Sequence, residues 1–153
     1  MRNGNAYLTN YKKGDQCMIP NDVIYNKLQT IKRCIKRINE EYENNPQNLE
    51  NFTKQDAIIL NIQRACEACI DLAMHIVSEK NFGIPQNSRD AFEMLYQNKL
   101  INEEMNLKLK AMVGFRNIAV HDYQSINVNI IKTIIENHLE DFKKFADTVM
   151  KLT

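Results

Sequence analysis

Ile58-Ile59-Leu60-Asn61-Ile62-Gln63-Arg64-Ala65-Cys66-Glu67-Ala68-Cys69-Ile70-Asp71-Leu72-Ala73-Met74-His75-Ile76-Val77 is the stretch that decides the fold. Ile58, Ile62, Ala65, Cys66, Cys69, Ala73, Ile76 and Val77 recur at three- and four-residue steps, the period of an α-helix. The apolar arc is wider than a surface helix needs, so this segment reads as the central, most buried helix of a bundle. Thr53 with Asp56 resembles a capping box ahead of it, although Asp stands where Glu is preferred. Phe82-Gly83-Ile84-Pro85 ends it, with Gly83 a natural C-terminal cap.

Working outward, Ile24, Leu28, Ile31, Ile35 and Ile38 mark an amphipathic first helix, with Asn21 and Asp22 suited to its start. Asn44-Asn45-Pro46-Gln47-Asn48 breaks it. On the other side, Ser88 can cap a short third helix bearing Ala91, Phe92 and Leu95. Asn102 followed by Glu103 and Glu104 opens a fourth, lined by Met105, Leu109, Met112 and Val113. A last helix runs from about Asn127 towards Leu152 through Ile131, Ile134, Ile135, Leu139, Phe142, Phe145 and Val149. No strand pattern competes. The expected fold is all-α, an up-and-down bundle of about five helices over residues 21–153, preceded by a flexible polar leader at residues 1–20. Met18, just ahead of the ordered pattern, is an alternative start.

The chain of 153 residues is the size of one domain and large enough to bury a core. It has no run of about 18 apolar residues and no signal-type leader, so no membrane span is expected and the cytoplasm is the expected compartment. The net charge of +1 lacks the strongly basic balance of a non-specific nucleic-acid binder, so any RNA recognition should be local to a cleft. Lys32-Arg33 with Lys36-Arg37 reads as a solvated helix face. Cys66 and Cys69 have CxxC spacing, but no second pair follows, and they read as small core residues. His75 and His138 stand as singletons on helix faces. No histidine–carboxylate cluster has metal spacing, so neither metal nor cofactor is expected.

Chemistry gathers in Gly114-Phe115-Arg116-Asn117-Ile118-Ala119-Val120-His121-Asp122-Tyr123. Arg116 offers a fixed cationic fork suited to phosphate, and His121 is a side chain able to exchange a proton near neutral pH. Together they make a minimal kit for working on a phosphodiester without a metal. If the fourth helix continues through them, Arg116, His121 and Tyr123 cluster at its C-terminal end, which favours nearby cations. The same placement equally suits residues that merely cap that end. Arg64, Glu67 and Asp71 share one side of the central helix. Either they orient Arg116 or Tyr123 from behind, or they lie at its solvent edge.

Arg116-Asn117, Val120-His121 and Tyr123 resemble the Arg-x4-His-x-Tyr motif of HepT-type toxins in the HEPN superfamily. The resemblance spans residues of about 20 to 150 and takes in Arg64 to Ala73, the Gly83-Ile84-Pro85 stop and Asp90-Ala91-Phe92. It implies a metal-independent endoribonuclease toxin acting on mRNA or tRNA, a homodimer with two motifs facing one cleft, and a cognate nucleotidyltransferase antitoxin. RNA carries its own nucleophile in the 2′-hydroxyl, so such an enzyme needs a proton shuttle and charge stabilisation only. The resemblance gives His121 the proton transfer, Arg116 the developing phosphorane charge, and Asn117 the orientation of the phosphate or of the pair. It makes Tyr123 the acceptor of AMP from ATP; a turn tyrosine or a substrate-stacking ring is the plainer alternative. A non-catalytic nucleotide-binding helical module accessory to a nucleotidyltransferase is the competing function, and a plain helical interaction domain the simplest one.

Overall fold

The computed structural model describes residues 21–152, so the expected leader lies outside the described residues. Six α-helices follow one another: α1 (Asn21–Tyr42), α2 (Phe52–Glu79), α3 (Ser88–Gln97), α4 (Glu103–His121), α5 (Val128–Asn137) and α6 (Leu139–Met150). Short 3-10 turns occupy Pro46–Glu50 and Tyr123–Ser125, and the described residues hold no strand. The all-α bundle is the one the periodicity predicts, with six helices in place of about five.

The sixth helix arises because the last apolar repeat is divided at His138. That residue leaves the helical region (φ −126°, ψ −2°), and helical bonding restarts with the Asp141 amide donating to its carbonyl at 3.1 Å. Asp141 is almost fully buried and lies 2.8 Å from His138 Nδ1 and 3.6 Å from Lys108 Nζ of α4. A buried carboxylate needs such partners, and reaching them bends the chain between α5 and α6.

Asparagines start most of the helices. The side chains of Asn51, Asn87, Asn102 and Asn127 each accept a backbone N–H from the first turn of α2, α3, α4 and α5, satisfying donors a helix leaves open. Two expectations change in consequence. Asn51, not a Thr53–Asp56 box, caps α2, and Asn87, one residue before Ser88, caps α3. Both Asp56 and Ser88 are thereby released for other work. The C-terminal stop of α2 also differs. Asn81 (φ 56°) takes the left-handed position, with the Phe82 amide bonded to Val77 O at 3.0 Å and the Asn81 amide to Ser78 O at 3.2 Å. Gly83 follows at φ 133°, where glycine alone is comfortable, and turns the chain towards α3.

Helix α2 is the spine. It packs on α1, α3, α4, α6 and the Pro46–Glu50 turn, and Ile58, Ile62, Leu72, Ala73, Ile76 and Val77 lie wholly inside. Phe92 of α3 meets Phe145 of α6 edge to face, centroids 5.7 Å apart at 78°. Cys34, Cys66 and Cys69 are buried and free, and burial pushes all three thiols above their ordinary range. They are neutral core residues. Between α3 and α4, Glu93 accepts from Lys110 and from Asn106 Nδ2 at 3.0 Å, and the Lys110 bond above all holds its carboxyl below the usual range. No described helix is long and apolar enough to cross a membrane.

Phe145→Ala should cost about 4 kcal/mol, because it removes a buried ring and leaves a cavity. Phe52→Ala, at a ring 77% exposed, should stay within about 0.5 kcal/mol of wild type. Urea unfolding of the two variants checks the contrast.

Candidate functional site

Helix α4 carries the site because its last turns hold both apolar and polar duties. Leu109, Met112, Val113, Phe115 and Ala119 are buried against the bundle. Arg116 shares that inward side and is half-buried. Its Nη2 donates to Ser88 Oγ at 3.2 Å, at the start of α3, and its Nε donates to Asn117 Oδ1 at 2.9 Å. Both partners are neutral. Among the described residues Arg116 has no carboxylate partner, whereas Lys27, Lys54 and Lys110 each have one and Lys108 has two. The guanidinium also lies close enough to Cys66 of α2 to favour its thiolate, an effect that burial overrides.

His121 is the last residue of α4 and is exposed. Five residues separate it from Arg116, which at 3.6 residues per turn is about 140° around the axis. The two side chains therefore leave the helix in different directions. His121 instead continues the stripe Leu107, Gly114, Ile118, since i+3 and i+7 positions share a helix face. Asp122 then turns the chain (φ −150°, ψ 57°), and Ser125 bonds back to it through backbone and side chain.

Tyr123, in the 3-10 turn, points towards the start of α2. Its hydroxyl donates to Asp56 Oδ1, which with the Arg116–Cys66 approach sets α4 antiparallel to α2. Burial and then this carboxylate push the phenol up to about 12, yet the ring is 41% exposed. The expected cluster of Arg116, His121 and Tyr123 thus opens into three directions: towards α3, towards solvent and towards α2.

The acids on the middle of α2 do not reach this end of the site. Asp71 pairs with Lys27 of α1 at 2.8 Å, Glu67 accepts from Gln63 at 3.3 Å, and Arg64 is exposed on α2. The carboxylate on Tyr123 is Asp56, about three turns earlier on the same helix. Sequence reasoning missed Asp56 and Ser88 because local capping accounted for each; Asn51 and Asn87 just upstream were the signal that both were free. No group of three or more His, Cys, Asp or Glu suited to a metal occurs among the described residues.

A groove of about 700 Å³ runs between α4 and α5 beside the motif. Leu107, Ala111, Gly114 and Ile118 floor it from α4, and Ile130 and Thr133 from α5. Leu107, Ile118 and Ile130 are 59%, 41% and 45% exposed, a large apolar face for one chain to leave uncovered.

An all-helical bundle with Arg-x4-His-x-Tyr at the end of its fourth helix defines a HEPN-type protein. The family profile described as "Ribonuclease HepT-like" matches residues 31–149, and the chain belongs to that family, a ribonuclease family. The mRNA nuclease HepT of Shewanella oneidensis is 54% identical over 129 residues, covering 84% of this chain and 97% of the relative. Among solved structures, the tri-AMPylated Shewanella oneidensis HEPN toxin in complex with MNT antitoxin superposes with a TM-score of 0.81 at 53% identity, covering 85% of this chain and 98% of that one. A toxin–antitoxin complex with AMP-PNP gives 0.80 at 53% identity, covering 84% and 98%.

Tyr123 supplies a pH signature. Its folded pKa of about 12 exceeds the ordinary 10.0, so its contribution to stability is complete below pH 10 and is lost as pH rises through 12. Phenolate absorbance should show Tyr123→Phe removing one late-titrating tyrosine. Asp56→Ala should return that tyrosine towards its ordinary range.

Proposed function

We propose that this chain is the toxin of a two-component pair, an endoribonuclease whose Arg116, Asn117 and His121 act on the RNA phosphodiester. The observation that carries this is the half-buried Arg116, fixed by Ser88 and Asn117 yet without an acid partner among the described residues. Such a cation lacks full compensation until an anion arrives, and a phosphate matches its fork. His121 moves the proton: it takes it from the 2′-hydroxyl or gives one to the leaving oxygen. Arg116 stabilises the charge gathering on the phosphorane, and Asn117 keeps the guanidinium plane in place. Because the nucleophile comes from the RNA, no metal-activated water is required. A protein cutting cellular RNA would work in the cytoplasm.

The working unit is a homodimer closed over the α4–α5 groove. His121 lies at the end of the exposed Leu107–Gly114–Ile118 stripe, so a second copy covering that face meets His121 directly. One chain aims its arginine and histidine about 140° apart, and pairing two copies offers each His121 a second motif. Two-fold self-association is also the commonest oligomer.

Control falls on Tyr123. A cognate nucleotidyltransferase antitoxin transfers AMP from ATP to its hydroxyl, consistent with a relative described as tri-AMPylated and bound to an MNT antitoxin. AMP at this turn would set a bulky anion within reach of the place where the RNA phosphate must sit.

Purified, unmodified protein should cleave RNA in the presence of chelator. His121→Ala should lower the rate by about 10²–10⁴-fold, and Arg116→Ala by about 10²–10³-fold. Equal cleavage by wild type and His121→Ala would overturn the assignment. Loss of nucleotide affinity in Arg116→Ala, with no cleavage by any variant, would establish instead an accessory nucleotide-binding module.

Ile118→Asp should convert a dimer to a monomer in sedimentation and abolish cleavage while Arg116 and His121 remain. An unchanged sedimentation coefficient would remove the α4–α5 face from the interface.

A further inference from the structure

Among the described residues two tyrosines give their hydroxyl proton to a carboxylate. Tyr42 of α1 donates to Glu136 of α5, and Tyr123 donates to Asp56. The two pairs differ in access. Tyr42 is 2% exposed, so its ring is closed off although Glu136 is exposed, whereas Tyr123 is 41% exposed and reachable by a partner enzyme. Asp56 is itself exposed, and its bond to Tyr123 crosses 67 residues of sequence. An exposed phenol held by a distant carboxylate needs another explanation than core packing.

The surroundings leave Asp56 free to act as a base. Lys54, two residues away, is turned to Glu41 of α1 at 3.5 Å, and no cation pairs with Asp56 among the described residues. Asp122, the other carboxylate near the ring, is engaged by Ser125. Asp56 is thus the acid aligned on the oxygen that would react.

We propose that Asp56 is the general base of the AMP transfer, a catalytic group that the acceptor chain supplies to its own modification. This rests on Tyr123 being the acceptor. Tyr123 Oη forms a bond to the α-phosphorus of the nucleoside triphosphate as its proton passes to Asp56 Oδ1. The bond between the α-phosphorus and the bridging oxygen of the β-phosphate breaks, and pyrophosphate leaves with that electron pair. The need for a base is plain, because a phenol pushed up to about 12 offers almost no phenolate near neutral pH. A general base at hydrogen-bond reach of the proton is worth about 10²–10⁴ in rate.

The chemistry divides the work between two proteins. The nucleotidyltransferase would bind and orient the triphosphate, and the toxin would bring both nucleophile and base on one rigid frame, α2 and the turn after α4. The other exposed tyrosine among the described residues lacks that frame. Tyr25, 59% exposed on α1, has no carboxylate partner among the described residues and should be a poor acceptor despite its greater access.

The test uses the chain co-purified with its cognate nucleotidyltransferase, with magnesium and ATP, and follows AMP addition over time by intact mass. Asp56→Asn, which can still hydrogen-bond the phenol but cannot take its proton at neutral pH, should slow the first addition by about 10²-fold or more. Asp56→Glu, which keeps a carboxylate, should retain a measurable part of the wild-type rate. Both variants should still co-purify with the enzyme and melt within a few degrees of wild type. A first-addition rate in Asp56→Asn within threefold of wild type would overturn the proposal. Loss of co-purification would also overturn it, by making Asp56 a docking residue. Should wild type and Tyr123→Phe gain AMP equally, the acceptor is another residue and Tyr123 itself is misassigned, a failure distinct from that of Asp56.

Discussion

Burial of α2 is the constraint on which the rest of the structure depends. A helix that must be covered on nearly every side draws α1, α3, α4 and α6 around it. Its covered length holds few polar groups, Asn61 and the buried Nε2 of His75 among them, and most others lie at edges and ends. Those few places locate the site: Asp56 near its start receives Tyr123, and Cys66 in its middle lies beside Arg116. Antiparallel packing of α4 on this spine therefore determines which part of the motif meets which part of α2. Shifting the sequence of α4 by one residue would turn Arg116 by about 100° out of the inward side and detach it from Ser88.

Arg116 shows how such a frame can hold a cation without neutralising it. Partly burying a guanidinium beside apolar carbons costs free energy that a carboxylate would normally offset. Here the hydrogen bonds go to a hydroxyl and an amide, which fix the geometry without neutralising the charge. The result is a preorganised cation, and preorganisation is what makes a charge effective at a developing anion. A neighbouring Asp or Glu would satisfy the arginine better and serve a phosphate worse.

Most of the bundle is legible in the sequence because it rests on a repeating pattern. Ile58 to Val77 read as a central helix and are one, and the apolar residues of α1, α4, α5 and α6 read correctly as their inner faces. The break at His138 is invisible to that pattern, since the apolar repeat runs through both α5 and α6 and only the Asp141 side chain reveals the stop. Residue types also announce Arg116, Asn117, His121 and Tyr123 as a group, but not their directions, which depend on a helical angle and on the turn at Asp122. Ser88 and Asp56 are hidden more thoroughly. Each fits a local capping role, and two asparagines upstream perform it instead. Local chemistry that explains a residue completely is a poor guide to what that residue touches across the fold.

With Tyr123 as the proposed acceptor, its bond to Asp56 has an electrostatic consequence for how the toxin would be silenced. In the free chain the Tyr123 proton joins two oxygens, and the ring lies against α2. Esterification by AMP replaces that proton, which Asp56 takes and releases to solvent, and leaves the carboxylate facing a phosphate of the same sign. The bond becomes a repulsion. The end of α4 nearby carries the negative pole of the helix, which disfavours an anion there as well. Both effects push the nucleotide away from α2 and from the helix terminus. The group that holds Tyr123 still before modification would then turn the added AMP away from α2.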